Sequence, residues 1–222
     1  MLPINTIVVP QGAEYQAVCR GLAKAKIKQV RVIAIAIGVK QIDEVLSHYW
    51  ETINDSRGIL IIGLCGSLNN SYAVGDSLSV ESCKQMNHNL VRLDADLTAE
   101  IREKLGLKTV TALTSDRVIN QAQEKLNLAQ QYSAEIVEME GYSYVARLQQ
   151  QHKVVAMLRV VSDDLNGDLP NLDRAIDAQG NIKPFPMAIA MIRQPVAALR
   201  LIKGSLAGLK ALEQVTTKLF SV

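Results

Sequence analysis

The chain has 222 residues, 48% of them hydrophobic, and a net charge of +2. That length and apolar content suffice to bury a full core in one domain spanning residues 1–222. So balanced a charge excludes a dedicated nucleic-acid binder, which needs a strong basic excess.

In chain order, Ile4 to Val9 reads as a short apolar strand closed by Pro10 and Gly12, with a helix from about Ala13 to Ala25 after it. Val30 to Ile37 is a second apolar strand, ended by Gly38, and Gln41 to Ile53 carries Ile42, Val45, Leu46 and Tyr49 at helical spacing. Gly58 precedes the buried strand Ile59-Leu60-Ile61-Ile62, which runs into Gly63-Leu64-Cys65-Gly66-Ser67-Leu68. Runs this apolar, without alternation, suit strands covered on both faces. Val74-Gly75-Asp76 is a turn before the strand Ser77 to Ser82, and the polar residues 84–94 read as a loop. A helix at about Thr98 to Leu105, a strand at Thr109 to Leu113 and a helix at Gln121 to Gln131 follow, with Ser115-Asp116 as a candidate cap.

Next come a short strand from Ile136, a helix from Met139 to Gln151 and a long apolar strand from Val154. Leu165 to Asn171 is a polar loop placed to act as a mobile lip over a site. Met187 to Ile192 and Val196 to Leu219 read as helices parted by Pro195, the second weakened by Gly204 and Gly208. Strands alternating with helices point to an α/β layered fold. From Lys183 onward the bases are Lys183, Arg193, Arg200, Lys203, Lys210 and Lys218 against the single acid Glu213. This tail, from about residue 186 to 222, is therefore a basic amphipathic helical segment. It can pack on the body or a subunit partner, or rest peripherally on an anionic membrane.

Cys19, Cys65 and Cys83 are odd in number and lack a C-x-x-C spacing, which argues against a zinc site or a disulfide framework and fits a reducing cytoplasm. His48, His88 and His152 are scattered without ligand spacing, so no metal site is expected. Met1-Leu2-Pro3-Ile4-Asn5 has no basic stretch leading into an apolar one, so no signal peptide is expected. No apolar run reaches the roughly 18 residues of a spanning helix.

The informative stretches are Ile136-Val137-Glu138-Met139-Glu140 and Leu158-Arg159-Val160-Val161-Ser162-Asp163-Asp164. Both are strands that end in acids, and two strands of one sheet would carry Glu138, Glu140 and Asp163 to the same edge, where α/β sheets place ligand sites. Taken singly, Glu140 and Asp163 read more readily as a helix-start acid and a strand-end cap than as site residues, and only their joint placement reverses this.

The two stretches together resemble the purine nucleoside phosphorylase and nucleosidase superfamily. The carrying motif is Val137-Glu138-Met139-Glu140, followed by Arg159-Val160-Val161-Ser162-Asp163. Gly63 to Leu68 with Val74-Gly75-Asp76 is similar to that family's glycine-rich loop and following turn, and Ser115-Asp116-Arg117-Val118-Ile119 to its purine-pocket segment. The resemblance implies a three-layer nucleoside phosphorylase-like fold with a central mixed sheet flanked by helices. It implies no cofactor, with inorganic phosphate as a candidate co-substrate, and a homo-oligomer, a dimer by default.

The implied roles are specific. Glu140 holds the ribose hydroxyls, Met139 packs on the sugar, and Asp163 protonates the leaving purine, oriented by Ser162 or Arg159. Glu138 is a structural partner or further ligand, and Val118 and Ile119 line the base site. Gly63, Leu64 and Gly66 border the phosphate or water site. Charge-assisted hydrogen bonds from a carboxylate suit the sugar, and a general acid suits the base. Crowding by Asp164, Glu138 and Glu140 would favour a protonated Asp163.

The chain also departs from the pattern. Tyr15 stands where the family's methylthioadenosine nucleosidases carry a catalytic Glu, leaving Glu14 as the nearest acid, and Leu64 stands where Ser or Thr is frequent. The tail, from Leu169-Pro170 through Asp177-Ala178-Gln179-Gly180 and Arg193-Gln194-Pro195 to Leu209, is similar to that of hopanoid-associated phosphorylases. This implies release of adenine from a nucleoside with a bulky apolar 5′ group such as adenosylhopane, by hydrolysis or phosphorolysis. The alternatives are a methylthioadenosine/S-adenosylhomocysteine nucleosidase and a nucleoside-binding protein without catalysis.

Overall fold

A computed structural model describes residues 2–36, 42–86, 89–172, 174–175 and 183–221. The elements run β1 (Thr6–Pro10), α1 (Ala13–Lys24), β2 (Arg31–Ile35), α2 (Ile42–His48), α3 (Trp50–Asn54), β3 (Ile59–Ser67), β4 (Ser77–Gln85) and β5 (Leu90–Arg92). They continue α4 (Ala95–Leu105), β6 (Lys108–Thr114), α5 (Ala122–Tyr132), β7 (Ile136–Glu138), α6 (Gly141–Gln150), β8 (Val155–Asp163), α7 (Pro184–Arg193) and α8 (Pro195–Phe220).

The apolar run in β3 is buried on both faces because helices cover both. Ile59 and Ile61 join one core with Leu46, Ile53, Tyr144 and Leu148, from α2, α3 and α6. Leu60 and Ile62 join the other with Val18, Leu97, Ile101, Leu212 and Val215, from α1, α4 and α8. Successive residues of a strand point to opposite faces, so one uninterrupted apolar run serves two cores. The result is three layers around a mixed eight-stranded sheet, the α/β class expected.

β3 pairs in parallel with β1 and β8, and antiparallel with β7 through Gly66 and Ser67. β8 pairs antiparallel with β4, β4 in parallel with β6, and β6 in parallel with β7. These pairings join β3, β8, β4, β6 and β7 in a closed ring. The carboxylate-bearing strands β7 and β8 therefore run in opposite directions on either side of β3, and their ends meet at its C-terminal end, by Gly66. This replaces the shared sheet edge expected from sequence. The β3–β8 register slips between Cys65 and Gly66, which pair with Val161 and Asp163. Ser162 is the extra residue of a bulge, a device that re-aims side chains.

Several local readings change. The helix expected over Gln41 to Ile53 is two, α2 and α3, parted at Tyr49 (φ −100°, ψ 17°), and Leu46 and Ile53 reach the same core. The loop expected at residues 84–94 is strand in part, the end of β4 pairing with β5. Its polar sequence fits because a pair at the sheet edge is solvated on one side. Ser115 caps no helix: its Oγ accepts from Arg117 N–H and donates to Arg117 C=O, closing a local turn. Ile37, Gly38, His88 and Asp177 to Gly180 lie outside the described residues.

Gly204 and Gly208 prove to be close-approach points of α8. A Cβ on Gly204 would lie 2.1 Å from the Ser162 carbonyl oxygen, and one on Gly208 3.1 Å from a Leu64 methyl. The second half of α8 is thereby seated in the core, while Val196, Leu199, Ile202 and Leu206 of its first half stay exposed. Among the described residues no single helix is long and apolar enough to cross a membrane; α7 and α8 pass that test only together, bent by 119°.

Gly204→Ala is expected to destabilise by about 1–3 kcal/mol, because backbone rather than a flexible side chain must yield. Gly208→Ala, facing a leucine methyl, is expected to cost less. Urea titration of both variants checks this order, and equal midpoints for Gly204→Ala and the wild type would contradict the packing.

Candidate active site

The acids at the ends of β7 and β8 border one cavity of about 250 Å³. Its walls include Glu14 from the first turn of α1, Leu64 and Gly66 from β3, Val118 and Ile119 from the β6–α5 loop, Met139 and Glu140 before α6, and Ser162 and Asp163. Glu138 lies at its base, and Leu169, Leu172 and Leu201 add an apolar side. Sequence positions far apart are thus brought together at the centre of the sheet. Gly63 is the one expected site residue absent from that lining.

A buried arginine organises the acids. Arg159 in β8 is 1% exposed, and its Nη2 donates to Glu138 Oε2 at 2.6 Å and lies 3.9 Å from Glu140 Oε2. Burial works to lower the Arg159 pKa, but the charges of Glu138, Glu140 and Glu14 outweigh it and hold it above its ordinary value. Losing one partner of such a buried pair typically costs about 3–5 kcal/mol, since a charge is left uncompensated. Arg159 therefore pairs with the glutamates and makes no contact that would orient Asp163.

Glu138 is committed to structure. Besides Arg159 it accepts the backbone N–H groups of Glu140 (3.0 Å) and Gly141 (2.6 Å) and the Thr114 hydroxyl. It thereby closes the start of α6 and fixes where Met139 and Glu140 face. Glu140 is 5% exposed and borders the cavity.

Glu14 reaches the cavity from the opposite side. Its Oε2 accepts the Leu64 N–H at 2.6 Å. Burial raises its pKa from 4.5 to about 7, against the opposing pull of that hydrogen bond and of Arg159. Leu64 thus contributes a backbone N–H that holds Glu14, so its lack of a side-chain hydroxyl removes nothing from this arrangement. Tyr15, at the position expected to be catalytic, packs half-buried in the core beneath α1 and does not line the cavity.

The glycines make room for these groups. A Cβ on Gly63 would stand 2.7 Å from both Arg159 Nη1 and Glu14 Oε2, and one on Gly66 2.9 Å from Asp163 Oδ1. One on Gly141 would stand 2.9 Å from both Glu138 carboxylate oxygens. Gly63 serves the site by this clearance.

The surroundings of Asp163 differ from those expected. Ser162 Oγ donates to Asp163 Oδ2 at 3.0 Å, as expected of an orienting residue. Asp163 is not crowded by acids, however. Asp164 turns away to the backbone N–H and side-chain amide of Asn166, and the buried Lys125 of α5 donates to Asp163 Oδ1. Lys125 carried no sequence signal, because a single Lys in a polar helix reads as a solvated one.

The loop after β8 is tied down. Ala122 N–H donates to Asp168 Oδ1 and Arg200 to the Asp168 carbonyl, both at 2.8 Å. Arg20 of α1 pairs with Glu213 of α8 at 2.7 Å. A second cavity of about 580 Å³ meets the first at Ser162 and Asp163 and continues along Val196, Leu199, Lys203 and Ala207 of α8. Among the described residues no group of His, Cys, Asp and Glu is placed to hold a metal ion.

Comparison with known proteins agrees with this geometry. The model of the phosphorylase superfamily matches residues 11–183, more than half of the chain. No curated protein matches the sequence. Among solved structures, the chain is similar to Arabidopsis thaliana 5′-methylthioadenosine nucleosidase, with 17% identity and a TM-score of 0.68 over 98% of this chain and 95% of that one. It is similar to futalosine hydrolase of Helicobacter pylori strain 26695, with 16% identity and a TM-score of 0.67 over 95% of each chain. It is also similar to 5′-methylthioadenosine/S-adenosylhomocysteine nucleosidase from Helicobacter pylori, with 16% identity and a TM-score of 0.66 over 95% of this chain and 96% of that one. At these identities the structures establish a shared fold. The family match over most of the chain places it: the chain belongs to the phosphorylase superfamily.

Proposed function

We propose that the chain hydrolyses the N-glycosidic bond of an adenine nucleoside, releasing adenine, and that the substrate carries a bulky apolar 5′ group such as that of adenosylhopane. The observation that carries this reading is the meeting of Glu14, Glu140 and Asp163 around one cavity with apolar walls. In the proposed reaction Glu140 accepts the 2′- and 3′-hydroxyls and fixes the sugar against Met139, between Glu14 and Asp163. The base lies against Val118 and Ile119. As the C1′–N bond breaks, its electron pair moves into the purine and Asp163 delivers a proton to the ring. A water molecule attacks C1′ from the other side and gives its proton to Glu14.

Water is favoured over phosphate by charge. Glu14, Glu138, Glu140 and Asp163 border the cavity, and Arg117 is the only basic residue among its described lining. A phosphate dianion would meet like charges there. The bulky 5′ group is supported by the second cavity and by the exposed Val196, Leu199, Ile202 and Leu206. With Arg193 and Lys203, these residues also suit peripheral contact with an anionic membrane carrying such a substrate.

A second reading, a nucleosidase for methylthioadenosine or S-adenosylhomocysteine, gains from the placement of Glu14. Tyr15 stands at the position of the expected catalytic Glu, and the acid beside it, Glu14, borders the cavity instead. The same placement weakens the reading as a binding protein without catalysis.

Adenine release from adenosylhopane and from methylthioadenosine, each with and without phosphate, separates these readings. Faster release from adenosylhopane, unchanged by phosphate, is expected; no release from either would sink the proposal. Asp163→Asn should lower kcat by about 10²–10⁴ with little change in KM, the loss of a general acid. Glu14 works as a base only when deprotonated, so kcat/KM should fall as pH drops through about 7. Glu14→Gln should abolish turnover, and a pH profile flat between 5 and 8 (about the range in which Glu14 changes charge) would exclude Glu14 as the base.

A further inference from the structure

We infer that Lys125 is the source of the proton that Asp163 passes to the leaving base. The inference rests on the proposed hydrolase reading and extends it to a residue outside the cavity lining. Lys125 is 1% exposed, and its ammonium donates to Asp163 Oδ1 and to the Asp164 carbonyl at 3.2 Å. Taking an ammonium out of water is costly, and a buried pair seldom recovers more than that cost. A buried ion pair is therefore a weak device for stability. Beside a substrate-sized cavity it is a strong device for holding a proton.

The bookkeeping of protons supports the assignment. A protonated lysine beside an ionised aspartate holds the same number of protons as a neutral lysine beside a protonated aspartate. Asp163 can therefore donate to the base without standing protonated in the resting enzyme. When the glycosidic bond breaks, the base takes one proton from Asp163. One proton moves from the Lys125 ammonium to Asp163, leaving a neutral amine beside a carboxylate. Glu14 holds the proton taken from water, and exchange with solvent after product release restores both groups. Lys125 acts through Asp163 and is a positioning residue in this sense.

The neighbours allow it. Ser162 Oγ holds the other oxygen of Asp163. Among the described residues, the other titratable groups around the pair include Cys65 on β3, Glu138 on β7, Arg159 on β8 and Asp164 after β8. Burial pushes the Cys65 thiol far above its usual range, so it stays protonated. Glu138 is held by Arg159, and Asp164 by Asn166. Lys125 is the group of this set with a proton to give.

The test compares wild type, Lys125→Met and Lys125→Arg in adenine release across pH. Lys125→Met should lower kcat by 100-fold or more with KM little changed, and its alkaline limb should move to lower pH because Asp163 must then hold the proton alone. Lys125→Arg keeps the charge and the pairing, but a guanidinium does not release its proton. It should therefore fold and still show the low kcat. Wild-type turnover in Lys125→Arg, or an alkaline limb of Lys125→Met that overlays that of the wild type, overturns the inference while leaving the hydrolase reading standing. If the wild type releases no adenine from any nucleoside tested, the hydrolase reading fails and the inference falls with it.

Discussion

Everything at the centre of this molecule depends on one buried cation. Arg159 lies inside the sheet with Glu138 and Glu140 on one side and Glu14 near its other edge. Without it, acids from two elements at the end of β7 and the start of α1 would repel one another in a medium that screens poorly. With it, they converge, and each can take a separate task. Glu138 is spent on the backbone of α6, Glu140 borders the cavity, and Glu14 is left close to neutrality by its burial.

That cluster makes demands on the chain around it. A guanidinium and carboxylates need space within a sheet packed at the density of a solid. Gly63, Gly66 and Gly141 provide it at the three points where a methyl group would collide with Arg159, Asp163 or Glu138. The bulge at Ser162 provides direction, since it lets Asp163 pair with Gly66 across the ring of strands. Gly204 then lets α8 settle on the backbone of that bulge, covering the site from outside. The glycines and the bulge serve one purpose, close packing around ions.

The tail shows the same division between packing and exposure. Its second half closes one core through Leu212, Val215 and Leu219, and Glu213 pairs with Arg20 and Lys24 of α1. Its first half leaves an apolar row beside the second cavity. The packing reading of the basic amphipathic segment therefore applies to the second half of the helix, and the first half keeps its apolar row exposed.

Much of this was determined by sequence alone. The uninterrupted run Ile59 to Ile62 requires cover on both faces, which makes a layered α/β fold, and the motifs around Glu138, Glu140 and Asp163 point to the candidate site. Local pattern could go no further where partners are distant. Whether Glu14 or Tyr15 faces the cavity depends on the angle at which α1 leaves β1, which neighbouring residues do not encode. Edge strand β5 is only the three residues Leu90-Val91-Arg92, exposed or half-buried and flanked by polar residues, so the stretch around it resembles a loop. Lys125 looks like any surface lysine until α5 is docked and Asp163 is found at the end of its side chain. Tertiary structure alone decided these points, because each follows from what a side chain meets across the fold, and burial changes the cost of a charge far more than any change in sequence neighbours does.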